Sequence, residues 1–467
     1  MNAPPYKPRP PLPDGPYLVV GLARSGEAAA RLLARRGETV IGCDLGSPER
    51  AAELREAGVE VHLNAGGVEL LEAVRCVVKS PGVPAEAAVV AAARERGTPV
   101  IGELELAWRL LPNRFVAVTG TNGKTTVTEL LGHVWRTAAE PVAVAGNVGT
   151  PLASLVDEVA AEAGLVCECS SFQLEDTEGF APECAIFLNL APDHLDRHPT
   201  IDEYRRAKLR IFANQDAGDI AIYNADELDP AQLGGRGRRI AFCQGGTGYG
   251  PLGGHRGPGP FACDATLTGG SIWWGEERVI ETAELRLLGQ HNAENATAAA
   301  GAALAMGLGL GAVRDGLASF PGIPHRLEPV AEVNGVLYVD DSKATNVVAA
   351  RAALRAFDGG VRMILGGRSK GESFAPLMAE IPERCVACYL IGEAADQLAR
   401  ELHPAEARGV ELSRCRDLTD AVRSAAAGAR PGEVVLLAPA CASFDAYRDF
   451  EERGDHFRAL VEELDAR

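Results

Sequence analysis

No stretch of this 467-residue chain is apolar for the roughly 20 residues that a helix needs to cross a bilayer, which argues against a helical membrane protein. Positive charge is also scarce. Against 64 Asp and Glu stand 46 Lys and Arg, a formal net charge of -18, which disfavours a general binder of nucleic acid or of membrane surfaces, since such proteins displace counterions with a basic face. The opening segment MNAPPYKPRPPLPDGPY has prolines but no apolar core of signal-peptide length, and it reads as a loose leader. The eleven cysteines form no paired metal framework. Cys385-x-x-Cys388 lacks a second pair and sits in the apolar run CVACYLIG, so a buried strand in a reducing compartment is expected. These absences together point to a soluble cytoplasmic protein with no nucleic-acid or membrane partner.

What is present is a globular composition, 46% hydrophobic and 24% charged, in a chain too long for one core. Short β-branched runs alternate with alanine- and leucine-rich helical stretches, a rhythm that implies right-handed βαβ crossovers and largely parallel sheets. The expected fold class is α/β with three domains. A Rossmann-like N-terminal domain covers 1–103, a central P-loop ATPase-like domain 104–323 and a C-terminal Rossmann-like domain 324–467. Between about Gly234 and Pro260 the chain is glycine-rich, and surface loop is expected there.

In VTGTNGKTT, residues 118–126, a buried-type strand runs into glycines, a lysine and two hydroxyls, and a helix follows from about Lys124 to Thr137. The usual phosphate loop wants a glycine where this chain has Val118. Even so, Gly120, Thr121, Asn122 and Gly123 can present backbone N–H groups to phosphate, Lys124 can reach a terminal phosphate, and Thr125 or Thr126 can hold Mg²⁺. A capped strand-to-helix turn is the bland alternative, but it does not call for Gly-Lys-Thr. GLARSG near the start has the position of a dinucleotide fingerprint but carries Ala23 where its middle glycine belongs; with Ser80-Pro81-Gly82 it marks one strand edge. Glu168 in ECSSFQLE ends an apolar strand, as the metal-binding acid of a nucleotide site does. Glu175, seven residues on, reads as solvated. Asp193, His194, Asp196 and His198 cluster after the strand AIFLNL, suited to a cation or to acid-base work. Asn292 and Asn295 share a helix face that suits an adenine or ribose. Arg326, Asp341, Lys343, Lys370 and Ser443 stand at strand ends of the third block.

This motif series resembles the Mur ligase family of ATP-dependent amide-forming enzymes, whose phosphate loop reads GTNGK[ST]T. The resemblance runs through GLARSG, SPG, GTNGKTT, GNVG, ECSSFQLE, DHLDRH, YRRAKLRI, GQHNAENA, PHR, DDSKATN and LLAPACASFDAYRDFEERG. It is closest to the branch that adds D-glutamate to UDP-N-acetylmuramoyl-L-alanine in peptidoglycan precursor synthesis, releasing ADP and phosphate. What it implies is specific. Lys124 and Thr125 would hold ATP phosphates and Mg²⁺, with Thr125, Glu168, His194 and Lys208 as ligands of two ions, for which Mn²⁺ would substitute, and Lys208 N6-carboxylated. Catalysis would rest on Lys124, His194 and Lys208. Asn292, Asn295, Arg326 and Asp341 would border ATP, Ser80, Pro81, Gly82 and Asn147 the UDP-sugar, and Thr345, Lys370, Ser443 and Phe444 D-glutamate. The enzyme would work as a monomer, passing through an acyl phosphate, with the third block swinging closed to exclude water.

Two departures stand out: the family's GLGxTG is GLARSG here, and NLAPDH lacks the usual threonine and second acid before Asp193 and His194. Another amino-acid-adding Mur ligase or a folylpolyglutamate synthetase would share the phosphate loop. A diaminopimelate- or lysine-adding member would show DNPR in the third block, and that tetrapeptide is absent. A non-catalytic nucleotide switch would bind ATP without releasing phosphate.

Overall fold

The computed structural model describes residues 4, 6–191, 193, 197–245 and 263–465. Three sheets follow one another along the chain. The first is all-parallel, in the order β3-β2-β1-β4-β5. Its elements are β1 (Tyr17–Val20), α1 (Arg24–Arg35), β2 (Val40–Asp44), α2 (Ala51–Glu56), β3 (Glu60–Leu63), β4 (Cys76–Lys79), α3 (Ala88–Glu95) and β5 (Val100–Gly102). α1 starts hard against the end of β1. A Cβ on Gly26 would lie 1.7 Å from the Gly21 carbonyl oxygen, so only glycine permits that approach. The pair Gly21 and Gly26, an incomplete dinucleotide fingerprint in the sequence, is thus accounted for by packing.

α4 (Glu103–Leu110) leads into the second sheet, ordered β14-β13-β12-β11-β10-β9-β6-β8-β7. Its parallel part comprises β6 (Phe115–Thr119), α5 (Lys124–Thr137), β7 (Val142–Gly146), β8 (Gly164–Glu168), α6 (Ser171–Glu175), β9 (Cys184–Phe187), α7 (Ile201–Leu209), β10 (Ile220–Asn224) and β11 (Arg238–Gln244). β12 (Ala265–Thr268) pairs parallel with β11, and β13 (Ser271–Trp274) and β14 (Glu277–Glu281) extend the sheet antiparallel. α8 (Gln290–Ala305) and α9 (Leu310–Ser319) follow. Every residue of β6 is buried, and it lies between β9 and β8, so the loop that leaves it emerges from the middle of the parallel strands.

The third sheet runs β15-β16-β20-β17-β18-β19. It is built from β15 (Glu328–Val333), β16 (Val336–Asp340), α10 (Val347–Leu354), β17 (Val361–Gly366), α11 (Ile381–Arg384), β18 (Cys385–Ile391), α12 (Ala395–Leu402), β19 (Glu411–Arg414), α13 (Leu418–Gly428), β20 (Val434–Leu437) and α14 (Phe450–Asp465). Only β15 is antiparallel to its neighbour. Residues 1–285 and 294–320 form one compact unit, holding the first two sheets, and residues 286–293 and 321–467 a second, holding the third. In the first unit one apolar cluster runs from Tyr17 to Leu233; within it Trp108 of α4 meets Phe180 edge-on, ring centroids 5.8 Å apart. Among the described residues no helix is long and apolar enough to cross a membrane.

Several expectations need correcting. The stretch after Gly234 is not all loop: β11 occupies 238–244, because RRIAFCQ has β-favouring residues and a partner in β10; residues 246–262 lie outside the described residues. A disulfide joins Cys243 to Cys263, where free thiols were expected, and nine cysteines are free. Cys385 and Cys388 do lie in a buried strand. From Tyr6 on, the opening segment is not loose. Arg9 is ion-paired with Glu183 at 3.0 Å, the two side chains 5% and 0% exposed, and its guanidinium lies 4.6 Å from the Trp108 ring centroid. Lys7 pairs with Asp219 at 2.6 Å, and Arg109 donates to the Pro11 carbonyl. Proline fixes the backbone of this arm before it docks, so less entropy is lost on docking.

Cutting one partner from a buried ion pair strands the other charge, which costs about 3–5 kcal/mol. Arg9→Ala is therefore expected to lower the unfolding free energy by about 3 kcal/mol in urea titrations. A change below about 0.5 kcal/mol, the size of a neutral surface substitution, would show that the arm contributes nothing.

Candidate active site

The loop between β6 and α5 is built around its backbone. Gly123, just before α5, has φ 82°, and a Cβ there would lie 2.2 Å from Oδ1 of Asn295; glycine is required twice over. The loop is held from one side by the segment after β9. Thr121 N–H donates to the Asn189 carbonyl at 3.0 Å, Asn122 N–H donates to Asn189 Oδ1 at 2.8 Å, and Ala191 N–H donates to Thr121 Oγ1 at 3.0 Å. On the other side stands Asn295, 6% exposed. Thr121 and Asn122, expected to turn their N–H groups to phosphate, thus spend them on Asn189, and the anion site is left to the N–H groups at the start of α5.

Two lysines meet at the loop's first carbonyl. Lys124 Nζ donates to the Gly120 oxygen at 3.1 Å and to the Thr121 oxygen at 2.9 Å, while Lys208 Nζ, from α7, donates to the same Gly120 oxygen at 2.7 Å. Lys208 is 1% exposed, and its ammonium lies 4.3 Å from the Tyr204 ring centroid. Burial, and then repulsion from Lys124, pull the Lys208 amine down to about 7, so it is largely neutral just above that pH. Glu168, at the end of β8, is 3% exposed; its Oε1 accepts from Asn147 Nδ2 at 2.9 Å, and it has no ion pair among the described residues. Thr125 is half-buried, and Thr126 is buried in the first turn of α5. A buried carboxylate without a cation is costly, and this one beside a phosphate-type loop fits a divalent metal. His194 and Asp196 lie outside the described residues. His198 is buried one ring away from Lys208: its ring lies 5.1 Å from that of Tyr204 and stacks on Phe172, its Nε2 is 3.0 Å from Ser171 Oγ and its Nδ1 3.3 Å from Glu175. Glu175, expected to be solvated, is half-buried by those neighbours, and burial raises its carboxyl.

In the first sheet the strand order reverses direction between β1 and β4, the switch point where ligands of open parallel sheets bind. Gly21 and Ser80 face each other there, and Ser80 N–H donates to the Val20 carbonyl at 3.0 Å. Ser80 is buried, Pro81 half-buried and Gly82 exposed. The turn is braced from beneath by Lys79, whose Nζ is 2.7 Å from Asp176, both side chains 1% exposed or less. Arg24 of GLARSG donates to the Gly149 carbonyl of GNVG, the loop that also carries Asn147.

In the second unit three loops leave the ends of β16, β17 and β20, which are neighbours in the sheet. Ala440 N–H donates to the Ala344 carbonyl at 2.9 Å, Arg368 and Ala442 exchange two backbone hydrogen bonds, and Lys370 Nζ donates to Thr345 Oγ1 at 3.2 Å. These bonds bring Thr345 and Lys370 together beside the loop that carries Ser443. Ser443 is buried, and Phe444 is 62% exposed. Beneath them lies Arg453 of α14, 1% exposed, donating to Ser342 Oγ and to the Ser342 and Cys441 carbonyls. Asp341 is buried and pushed up to about 7 by desolvation, with Arg326 opposing the rise. Asn292 Nδ2 donates to the Leu288 carbonyl at 2.7 Å. Asn189, Tyr204, Lys79 and Arg453 were not singled out in the sequence. For Lys79 alone there was a local signal, a lysine ending an otherwise apolar strand.

His325 is held at 2.7 Å from Asp340, and this hydrogen bond, partly opposed by burial, raises the imidazole above its usual value. A raised value stabilises the fold below about pH 6.5, and that stabilisation is lost as pH rises through it. The advantage of the natural chain over His325→Gln in urea unfolding is thus expected to be larger at about pH 6 than at about pH 9. An unchanged difference would show that the pair is not ionic.

The description "Mur ligase MurD-like, N-terminal domain" matches residues 16–102, "Mur ligase middle domain" residues 118–303, and "Mur ligase, glutamate ligase domain" residues 325–441. The chain is 41% identical over 448 residues to the UDP-N-acetylmuramoylalanine--D-glutamate ligase of Acidobacterium capsulatum, covering 95% of each chain. It is 42% identical over 453 residues to the protein of that name from Geobacter metallireducens, covering 96% of this chain and 97% of that one. Among solved structures, UDP-N-acetylmuramate-alanine ligase from Thermotoga maritima aligns with a TM-score of 0.56 at 19% identity, over 96% of this chain and 100% of that one. A pseudomurein peptide ligase type C from Methanothermus fervidus gives 0.53 at 16%, over 96% and 99%. These two share the fold.

Proposed function

The chain belongs to the Mur ligase family of ATP-dependent, Mg²⁺-using ligases, and from that premise we propose that it joins D-glutamate to UDP-N-acetylmuramoyl-L-alanine in peptidoglycan synthesis. Relatives named for this reaction, about 40% identical over nearly the whole chain, support the choice of substrates. The observation that carries the chemistry is the convergence of Lys124 and Lys208 on the Gly120 carbonyl, close to the buried carboxylate of Glu168.

The L-alanine carboxylate attacks the γ-phosphorus of ATP, giving an acyl phosphate and ADP; the D-glutamate amine then attacks the activated carbonyl, losing a proton, and inorganic phosphate leaves. Two anions approach in the first step. Lys124 and the N–H groups at the start of α5, from Gly123 to Thr126, lower that repulsion. Mg²⁺ supplies further charge neutralisation when bound, and Thr125, Glu168, His194 and Lys208 would hold two ions. Lys208 fits that role as a carbamate. An amine must be neutral to add CO₂, and one that titrates at about 7 meets this condition, whereas an exposed lysine does so far less. Carboxylation would turn a cation that repels the metal into an anionic ligand.

The assignment of the remaining contacts follows the same reading. Asn295 lies against Gly123, and we assign it, with Asn292, Arg326 and Asp341, to the nucleotide. Ser80, Pro81, Gly82 and Asn147 are assigned to the UDP-sugar, in keeping with the switch point in the first sheet. Thr345, Lys370, Ser443 and Phe444 are assigned to D-glutamate, whose carboxylates suit a lysine and hydroxyls. The domain boundaries in this reading fall at 103/104 and 323/324.

Phosphate release with ATP, Mg²⁺ and UDP-N-acetylmuramoyl-L-alanine is expected with D-glutamate and not with L-glutamate, L-lysine or meso-diaminopimelate. Release with another amino acid, or with none of them, overturns the substrate assignment. Lys208→Ala is expected to lose at least about a hundredfold in rate, the loss typical of a single missing electrostatic group, and short-chain carboxylates should restore part of it. Full activity in the alanine variant would remove Lys208 from the site.

A further inference from the structure

The parallel strands of the second sheet have two edges, and the phosphate-type loop occupies only one. At the opposite edge, where β6, β7 and β8 begin, lies a partly enclosed cavity of about 560 Å³, within the range of small-molecule sites. Trp135 near the end of α5, with Met306 and Leu308 after α8, gives it apolar wall. Arg114, Glu140 and Glu162 give it charge.

These charges are not spent on one another. Among the described residues neither Glu140 nor Glu162 is in an ion pair, and both are exposed. Arg114 also has no ion pair there. Its guanidinium stacks 4.2 Å from the Tyr6 ring centroid, and its Nε is buried without a hydrogen-bond acceptor. A guanidinium and two carboxylates around an apolar wall are complementary to a molecule with an anionic end, a cationic end and an apolar body.

We propose that this cavity is a second binding site, separate from the reaction centre, for a zwitterionic, apolar-bodied small molecule of about dipeptide size. Its carboxylate pairs with Arg114, its ammonium with Glu140 or Glu162, and its side chains lie on Trp135 and Met306. D-glutamate, with its acidic side chain, does not fit that description. The inference does not depend on the ligase reading, because it uses no residue assigned to that reaction.

The lining offers a clean block. Gly309 borders the cavity with φ −70°, a conformation any residue adopts, and a Cβ there meets no atom within 4 Å. Gly309→Phe should fill space without straining the fold. Calorimetric titration of the full chain would use Leu-Phe, its N-acetyl form and its C-terminal amide as probes. Saturable binding of Leu-Phe is expected, weakened about tenfold or more by either cap and by Gly309→Phe, the scale of one lost charge-assisted hydrogen bond. Arg114→Gln should weaken Leu-Phe and the N-acetyl form but leave the amide unchanged, since the amide has no carboxylate to lose. An unaltered thermal midpoint and unaltered ATP-dependent phosphate release in Gly309→Phe would show that the variant is folded. No binding of any probe, binding indifferent to both substitutions, or equal binding of capped and free forms would overturn the proposal.

Discussion

Two cationic amines share one carbonyl oxygen, and much of the central sheet serves to keep them there. Side by side in a buried place, two ammonium groups repel each other, and the more buried of the two yields first: Lys208 is drawn toward neutrality while Lys124 stays half-buried on its own loop. This works only if the shared oxygen is fixed. β6 fixes it from below by burial on both sides, Asn189 and Ala191 from one flank through five backbone or side-chain hydrogen bonds, and Asn295 by contact with Gly123. The loop is therefore preorganised for an anion before any anion arrives, which is what electrostatic catalysis of a charge-crowded reaction requires.

The same geometry appears at all three sheets. The polar segments that the sequence flagged leave the C-terminal ends of parallel strands: SPG after β4, GTNGKTT after β6, DDSKATN after β16, GGRSK after β17 and APACAS after β20. At such ends backbone amides point outward and helix starts face the ligand, so polar residues placed there can be used without disturbing the core. GLARSG is the instructive exception. Its glycines are consumed by the approach of α1 to β1, and the one functional-looking side chain, Arg24, is spent on the GNVG loop.

The parts legible in the sequence were those with local causes. Strand, loop and helix around Gly123 are written in one short run from Phe115 to Thr137, and the boundaries of α5 match the expected Lys124 to Thr137. Lys208 is different. The helical spacing of Tyr204, Ala207 and Ile211 puts Lys208 on the apolar face, unlike the arginines, but its partner comes from a loop 88 positions earlier that the run YRRAKLRI does not name. Asn189 and Arg453 are likewise defined by partners remote in sequence. β13 and β14 went unread because short alternating strands beside a glycine-rich segment offer little periodicity, and the N-terminal arm because prolines carry no periodicity at all. The order of motifs along the chain was more informative than the spacing inside any one of them.

The arm bears on the order of assembly. Lys7 and its partner Asp219 are 212 positions apart, and Arg9 waits for Glu183. At a synthesis rate of about 5–20 residues per second, residues 7–9 stay unseated for roughly 10–40 s after they are made, until β9 and the turn before β10 follow. This arm is thus among the last parts of the first unit to settle. A proline-rich, charged arm is well suited to that delay, since it has little apolar surface to lose to aggregation while it waits.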